Sequence, residues 1–238
     1  MPNFALVNKE EHTDLRINTQ HSAELGDNVQ LAMTFPFEFR NVQACYPIMF
    51  RKSGDEFMPV ALFGFEKDEN LFLNKSGWDA NYIPVMIRKE PFLIGTQGVG
   101  DSDEEARVLS LDLDSPRVNK EEGEALFGPL GEMTEYLESQ AATLEVIYKG
   151  HQQNRLFVNA LLADDLLESV TLDITLKDGS RNSLLGFYTI NEEKIPDLSA
   201  ETLHLLNRND MLLPLFMVLS SMSNIQQLIH LKNQALGD

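Results

Sequence analysis

The sequence predicts an α+β fold in which antiparallel sheet elements pack with two main helices in a single compact domain. Apolar and polar side chains alternate with a period of two in Arg107 to Asp114 and in Val170 to Ile190, which indicates half-buried strands. Apolar residues at steps of three and four indicate helices at Met133 to Tyr148 and Met211 to Leu231. A length of 238 residues with 43% hydrophobic content suits one domain with a sizeable core.

The predicted domain has three consecutive parts, residues 1–34, 35–114 and 115–238. The first is expected to be an amino-terminal arm with one short strand, because apolar and polar residues alternate from Leu15 to Ile17. The second is predicted to be rich in strands. Its expected elements are a short helix within Phe35 to Cys45, strands at Pro47 to Arg51, Met58 to Phe65, Asn70 to Leu73 and Arg107 to Asp114, and an exposed loop from Gly95 to Glu105.

The third part is predicted to hold the long helices and a late hairpin. The helix Met133 to Tyr148 is expected to end at Gly150, because glycine commonly follows the last helical residue. Val170 to Ile190 is expected to form the hairpin, since Asp178-Gly179 is a favoured turn between alternating strands.

The carboxyl-terminal part is predicted to be helical, with a first helix from Ser199 to Asn207 whose amino terminus the Ser199 side chain can cap. The following segment, Met211 to Leu231, contains no Asp, Glu, Lys or Arg and nearly reaches the length of a bilayer span. Its Ser, Asn, Gln and His residues favour a core or interface helix, so no transmembrane segment is predicted. Its apolar stripe needs a cover, either the helix Met133 to Tyr148 or the same segment of a second subunit in a homodimer. Burial within the monomer is the favoured alternative.

The charge balance is strongly acidic, with 37 acidic against 19 basic residues and a formal net charge of -18. Such a surface repels phosphate backbones, so no nucleic acid partner is predicted. The single cysteine, Cys45, allows no intrachain disulfide, which fits a reducing compartment. The polar stretch Met1 to His12 lacks the apolar region of a signal peptide. These features predict a cytoplasmic protein and leave open export to the cell surface without a cleaved signal.

Motifs for metal binding and catalysis are weak, and neither a metal nor a cofactor is predicted. His12-x-Asp14 has the spacing of two ligands in a non-haem iron site, but such a pair arises readily by chance in a chain with five His. Asp101, Asp103 and Glu105 have the spacing of the first ligands of an EF-hand calcium loop. The next residue, Ala106, however, lies at the position where that loop requires Gly. The sequence motifs of serine hydrolases, zinc peptidases and P-loop proteins are absent. A non-catalytic role is therefore favoured over an enzymatic one.

Candidate binding residues lie mainly between Tyr46 and Phe92, a region that holds the single tryptophan. Trp78 and Tyr82 offer large amphipathic surfaces, and Arg88 offers a positive fork that matches a carboxylate. His12 is a fourth candidate, through the pair described above. We predict that these residues bind a protein partner or a small molecule. The alternative is that the two aromatic residues close the core over the sheet while the arginine pairs with a carboxylate.

The same region carries a resemblance to a known family. The residues that match are Tyr46-Pro47-Ile48, Phe50, Ala61-Leu62, Gly64, Asn70-Leu71-Phe72, Gly77-Trp78, Tyr82-Ile83-Pro84, Arg88 and Pro91-Phe92. Further matches are His12, Leu15, Arg16, Leu126-Phe127 and the Ser-rich apolar helix near Ser221. Together they resemble the bacterial SapC family over nearly the whole chain, so residues 1–238 are expected to form one SapC-like domain.

The resemblance implies an association with a paracrystalline bacterial surface layer, because the family takes its name from such a locus. It implies no mechanism at the level of residues. The first hypothesis is therefore a non-catalytic binding or assembly protein linked to the surface layer or cell envelope. The alternative is a small-molecule enzyme or an accessory factor of oxygenase or halogenase pathways, which His12-x-Asp14 and Arg88 motivate. A peptidase comes third, since some similar proteins carry that label.

Overall fold

Short strands and helices follow one another in the computed structural model, which describes residues 3–98 and 105–237, with the backbone alone for 96–98 and 105–107. The strands are β1 (Phe4–Leu6), β2 (Arg16–Ile17), β3 (Leu31–Met33), β4 (Ile48–Ser53), β5 (Glu56–Leu62), β6 (Leu73–Asn74), β7 (Gly77–Trp78), β8 (Phe92–Gly98), β9 (Glu105–Asp112), β10 (Val118–Asn119), β11 (Glu124–Ala125), β12 (Leu167–Thr175) and β13 (Arg181–Ile190). The α-helices are α1 (Lys9–His12), α2 (Phe39–Val42), α3 (Val85–Arg88), α4 (Glu135–Ala163), α5 (Ala200–Arg208), α6 (Leu212–Ser221) and α7 (Ile225–Ala235). Helices mix with antiparallel strand pairs, so the α+β prediction is confirmed.

Packing divides the chain into two compact units, the first with residues up to 27 and 85–149, the second with 28–84 and 150 onward. Helix α4 contributes to both, since the boundary falls between Lys149 and Gly150. The expectation of one domain over residues 1–238 stays a prediction.

The first unit contains two small antiparallel sheets. Strand β9 lies between β1 and β8, and β2 lies between β10 and β11. Ile17 on β2 is completely buried, and Phe92 on β8 packs against Tyr136 of α4 with ring centroids 6.1 Å apart. Residues 1–34, expected as an arm, thus supply two strands to the sheets of this unit.

The second unit is built on a five-stranded antiparallel sheet in the order β12-β13-β4-β5-β3. The predicted late hairpin is confirmed as β12 and β13, which turn through Gly179 at φ 85°, and β13 joins the rest of the sheet by pairing with β4. Phe157 of α4 packs against Phe39 of α2 and Phe50 of β4, with centroid distances of 5.8 and 6.3 Å. The core of this unit is therefore rich in contacts between aromatic rings.

The strand predictions hold best where apolar residues alternate. Strands β4, β5 and β9 match three predicted strands with shifted ends, whereas Asn70 to Leu73 contributes only Leu73 to a strand. Gly95 to Gly98, expected in an exposed loop, instead lie in β8 and pair with β9. The prediction failed there because main-chain partners on β9 overrode the turn preference of glycine. Asp101 and Asp103, from the calcium-like pattern, lie outside the described residues.

Helix α4 shows that the predicted helix end at Gly150 is wrong, because the helix runs for 29 residues from Glu135 to Ala163. Gly150 lies inside it, where an added Cβ would come 2.6 Å from Cδ1 of Phe35 and 2.8 Å from Cε1 of Phe37. An interior glycine costs a helix about 1 kcal/mol relative to alanine. The close approach of two aromatic rings explains why a glycine is nevertheless found here.

The predicted cap of α5 is confirmed, since Oγ of Ser199 accepts the Thr202 N–H at 3.0 Å. Beyond it, α6 contacts α2, β4 and β13, elements of its own unit that were not anticipated as its cover. Ser221 is completely buried, and its Oγ accepts the Ile48 N–H at 2.8 Å. One hydroxyl thus attaches the helix to the sheet.

One helical stretch, Leu212–Ala235, is long and apolar enough to cross a membrane when judged by length and composition alone. Core helices of soluble proteins can be equally long and apolar. In this stretch, 39% of an apolar segment of 18 residues is buried. Neither the predicted absence of a membrane span nor a homodimer through Met211 to Leu231 is tested by these contacts.

Candidate functional site

A pocket of about 560 Å³ opens in the second unit beside Arg40. Its apolar lining includes Phe37, Leu156, Phe157, Leu213, Pro214 and Met217. We call this cavity the Arg40 pocket. Its size lies within the usual range of small-molecule sites, and such sites are mostly apolar with a few polar groups.

The segment around α2 forms one side of the pocket. Phe39 and Val42 are completely buried, and Phe39 meets Phe157 edge to face. Because these two residues turn one side of the short helix inward, Arg40 between them is exposed. Phe37 precedes the helix, stacks on Phe35 at 5.4 Å and is 38% exposed. A cation and an aromatic ring therefore line the same opening.

The turn between α5 and α6 forms another side. Asp210 has a φ of 57°, which non-glycine residues other than Asn and Asp seldom adopt. The backbone then returns toward α5, since the Met211 N–H donates to the Leu206 carbonyl at 2.8 Å. This turn brings Asn207, Asn209 and Asp210 to the pocket.

Arg40 and Asp210 are the charged residues that line the pocket, and neither forms an ion pair within the described part of the chain. The remaining polar groups are the amides of Gln153, Asn207 and Asn209. The pocket thus offers an apolar floor, an available guanidinium, an available carboxylate and amides that both donate and accept. This combination suits an amphipathic ligand better than a purely apolar one.

Two of the four sequence-predicted site residues, Trp78 and Tyr82, meet at the completely buried Tyr46. Nε1 of Trp78 donates to Oη of Tyr46 at 2.7 Å, and that hydroxyl donates to the Tyr82 carbonyl at 2.5 Å. Phe63 and Phe72 surround Tyr46 with centroids 5.1 and 4.7 Å away. We call these five residues the Tyr46 cluster. Burial raises the pKa of the Tyr46 phenol, which therefore stays protonated as a donor.

A buried carboxylate lies next to this cluster. Glu38, 2% exposed, accepts hydrogen bonds at 2.8 Å from Oη of Tyr82 and from Oγ1 of Thr34. Thr34 is itself completely buried, and its carbonyl accepts from Nδ2 of Asn154 on α4 at 3.0 Å. The hydroxyl of Tyr82 therefore joins the Tyr46 cluster to a buried polar network, an arrangement typical of a specified core.

The other two predicted site residues, His12 and Arg88, belong to the first unit. His12 is 3% exposed, and its Nδ1 accepts the Asn8 N–H at 3.1 Å, while Oδ1 of Asn8 accepts the Glu11 N–H at 2.9 Å. These two bonds cap α1 reciprocally. Arg88 is exposed at the end of α3. The binding roles of His12, Trp78, Tyr82 and Arg88 stay predictions.

Metal ligands do not cluster in the part of the chain that the structure describes, where no group of three or more His, Cys, Asp or Glu could hold an ion. The two residues of the His12-x-Asp14 pair differ in exposure, since His12 is buried whereas Asp14 is exposed.

A second buried charge cluster lies in the first unit. Nη2 of Arg117 lies 2.6 Å from both carboxylate oxygens of Asp27, and Nη1 donates to the carbonyls of Asn18 and Gln20. Asp27 also meets Nδ1 of His21 at 3.0 Å. Because both charged groups are almost fully buried and hydrogen-bonded, this pair specifies the local structure rather than an open site.

Sequence reasoning missed the Arg40 pocket because its residues come from three segments far apart in the chain. Two local signals were present. Phe37 falls outside the spacing that places Phe35, Phe39 and Val42 on one side, which indicates an exposed aromatic residue. Asn209-Asp210 directly precedes an apolar helix, and this residue pair favours a left-handed turn.

The fold and the pocket define an α+β protein with a ligand-sized, mainly apolar cavity that carries one available charge of each sign. A family model described as SapC matches residues 7–228, and the chain therefore belongs to the SapC family. No curated protein and no solved structure matches the chain.

Proposed function

We propose that this protein is a non-catalytic binding or assembly protein and that the Arg40 pocket takes an apolar group carrying a carboxylate. The observation behind the proposal is Arg40 itself, a guanidinium without an ion-pair partner among the described residues, in a chain with a net charge of -18. Arg40 is exposed and lines the pocket. An arginine beside an apolar floor is thus suited to an external anion.

The pocket combines exposed apolar side chains with a guanidinium, and this combination supports an amphipathic ligand. Phe37, Leu156 and Leu213 are 38, 59 and 54% exposed, so their apolar surface is open to water in the free protein. Covering it with an alkyl chain or side chain is favourable by about 25 cal/mol per Å². The planar guanidinium can meanwhile bind a carboxylate through two parallel hydrogen bonds.

Asp210 limits the charge of the ligand. A second negative group near its carboxylate would be repelled, whereas an amide or ammonium donor would be accepted. A monoanion, or a zwitterion such as the end of a polypeptide, therefore fits this pocket better than a dianion. Among the described residues that line the pocket there is no Ser, Cys, His or Lys, so binding rather than nucleophilic chemistry is the supported role.

The context of the ligand rests on family membership and on the resemblance stated above. We place the protein in the assembly of a bacterial surface layer or envelope, acting from the cytoplasm or after export without a cleaved signal. The alternative of an enzyme or oxygenase accessory factor loses support at His12, whose Nδ1 already accepts a backbone hydrogen bond.

Calorimetric titration with octanoate, octanol and octylamine tests the proposal, because the three share one alkyl chain and differ in charge. Octanoate is expected to bind most tightly, and Arg40→Gln should reduce its affinity to that of octanol. Asp210→Asn should weaken octylamine only. Arg155→Gln is a matched control, since Arg155 is an exposed arginine on α4 outside this pocket.

Equal affinities of the wild type for octanoate and octanol would contradict the role of Arg40, as would equal losses in Arg40→Gln and Arg155→Gln. Mass spectrometry should recover octanoate unchanged after prolonged incubation. A product that forms with the wild type and not with Asp210→Asn would replace the binding role by a catalytic one.

A further inference from the structure

A second cavity of the second unit, with a volume of about 250 Å³, is lined by α4 and by the start of β5. The residues that α4 contributes are spaced at steps of three and four, so they share one face of the helix. They are His151, Asn154, Arg155, Val158, Asn159 and Leu162. We call this space the α4 cavity. Its volume lies just below the range of roughly 300–1,000 Å³ that is usual for ligand pockets, so it suits a small ligand.

Asn154 gives the α4 cavity an unused hydrogen-bond acceptor. The residue is 6% exposed, and its Nδ2 donates to the Thr34 carbonyl at 3.0 Å. That bond fixes the orientation of the carboxamide, because only its NH₂ group can donate to a carbonyl. Oδ1 of the same planar group is buried and has no hydrogen-bond partner among the described residues. Buried polar atoms are rarely left unpaired, so this oxygen indicates where a ligand can donate a hydrogen bond.

The next residue on α4, Arg155, supplies a positive charge. It is exposed, lines the cavity and forms no ion pair within the part of the chain that the structure describes. His151 lies one helical turn away, and partial burial and the Arg155 guanidinium both lower the pKa of its imidazole, which is therefore mostly neutral at pH 7. Among the described residues that line this cavity, Arg155 is thus the one that can offer a full positive charge to an anion at pH 7.

The remaining lining combines apolar side chains with two carboxylates. Val158 is buried, whereas Leu162 is exposed and leaves apolar surface that a ligand can cover. Asp55 and Glu56, in and after the turn that joins β4 to β5, are exposed and also line the cavity. Their negative charges would repel a ligand with a second negative group. The cavity therefore favours a monoanion or a zwitterion.

We propose that the α4 cavity binds a small aliphatic α-amino or α-hydroxy acid, whose carboxylate pairs with Arg155 and whose α-substituent donates a hydrogen bond to Oδ1 of Asn154. Asn154 and Arg155 are consecutive on one helix, so the two groups of the ligand are expected to be close together, as they are on neighbouring carbon atoms. The alkyl group of the ligand covers Val158 and Leu162. This inference does not depend on the Arg40 pocket, because the two cavities share no lining residue.

Other small ligands fit the α4 cavity less well. A simple carboxylic acid can pair with Arg155 but leaves the buried oxygen of Asn154 without a donor. An alcohol or an amine supplies the donor but leaves the guanidinium without an anion. A phosphate dianion is repelled by Asp55 and Glu56. An α-amino or α-hydroxy acid supplies both groups with a single negative charge.

Calorimetric titration with four compounds of one carbon skeleton tests the proposal. Leucine and 2-hydroxy-4-methylpentanoate carry both the carboxylate and the donor, whereas 4-methylpentanoate lacks the donor and leucinamide lacks the carboxylate. The wild type should bind each of the first two at least about tenfold more tightly than either of the others, because each missing group leaves a charged or buried partner unpaired.

Two variants assign the groups of the ligand to their partners. Arg155→Gln should weaken leucine by about tenfold and bring its affinity to that of leucinamide, while octanoate binding in the Arg40 pocket stays unchanged. Arg181→Gln is the matched control, since Arg181 is an exposed arginine on β13 outside the α4 cavity. Asn154→Leu should abolish the preference for leucine over 4-methylpentanoate, an effect that a general loss of stability would not produce. The side-chain amide signal of Asn154 in NMR spectra of the wild type should shift when leucine is added.

Three results would overturn the proposal. The first is that neither leucine nor 2-hydroxy-4-methylpentanoate binds to the wild type, which would leave water as the occupant of the cavity. The second is equal affinity of the wild type for leucine and 4-methylpentanoate, which would show that Asn154 accepts nothing from the ligand. The third is leucine binding that neither shifts the Asn154 amide signal nor weakens in Arg155→Gln, which would place the ligand elsewhere. If Asn154→Leu does not fold, the four compounds, Arg155→Gln and the NMR measurement decide alone.

Discussion

The Tyr46 cluster and the Arg40 pocket, both in the second unit, differ in how clearly the sequence indicates them. The Tyr46 cluster comes from a short, conspicuous segment rich in aromatic residues, and the structure uses those residues for packing and hydrogen bonds. The Arg40 pocket is made from unremarkable residues near positions 36–40, 153–157 and 207–217. Density of aromatic residues in sequence thus indicated the core, whereas the available charge was found elsewhere.

The two regions also differ in how their polar groups are satisfied. In the Tyr46 cluster each named hydroxyl or indole N–H has a partner within 2.8 Å. In the Arg40 pocket the two charged side chains have no ion-pair partner among the described residues. Satisfied buried groups stabilise a fold, while available groups at an apolar opening can bind a ligand. The contrast predicts opposite effects of mutation on stability and on binding.

The largest expected effect is that of Trp78→Ala, which removes a half-buried ring that contacts Phe63 and donates to Tyr46. The free energy of unfolding should fall by about 3 kcal/mol, at the lower end for large aromatic truncations because the ring is only half-buried. Chemical denaturation measures this loss, and Trp78→Phe should recover part of it. Unchanged stability together with lost ligand binding would make Trp78 a binding residue and would contradict the assignment of the Tyr46 cluster to the core.

The next effect is that of Tyr82→Phe, which deletes the hydroxyl that donates to Glu38 and leaves the ring. Removing one hydrogen bond to a buried carboxylate should cost about 1–2 kcal/mol of unfolding free energy. Tyr188→Phe is the matched control, because Tyr188 packs edge to face on Phe57 and no hydrogen bond of its hydroxyl is found among the described residues. Equal losses in the two variants would show that the hydroxyl of Tyr82 has no special place in the core.

Much of the fold could be predicted from the sequence where a local period sets the structure. The hairpin of β12 and β13 and the cap of α5 at Ser199 depend on neighbouring residues, and both were predicted. Gly150 was misjudged because its role depends on Phe35 and Phe37, which lie far from it in sequence. The Arg40 pocket could not be predicted for the same reason. A pocket depends on what packing leaves uncovered, and no period in the sequence records that.

A smaller effect on stability is expected from Arg40→Gln and Asp210→Asn. Each should change the unfolding free energy by no more than about 0.5 kcal/mol, because exposed side chains without close partners contribute little to folding. The same variants should change ligand affinity as proposed above. Thermal unfolding of both variants beside Trp78→Ala measures the contrast directly. If either one destabilises the protein as much as Tyr82→Phe does, the pocket belongs to the core.

The smallest effect concerns His151, which follows Gly150 on α4 and meets Phe35 edge to face at 5.3 Å. Partial burial of the imidazole lowers the pKa of His151 below its ordinary value of 6.5, and the nearby Arg155 lowers it further. The unfolded chain therefore binds a proton at this residue more readily than the folded protein does. Its contribution to stability should be complete above pH 6.5 and should be lost as the pH falls below that value. Unfolding free energies of the wild type and of His151→Gln, measured from pH 7.5 to about 5, isolate this residue from the many carboxylates that also titrate. The difference between the two proteins should shift against the wild type as the pH falls, and a difference that stays constant with pH would show that His151 titrates alike in both states.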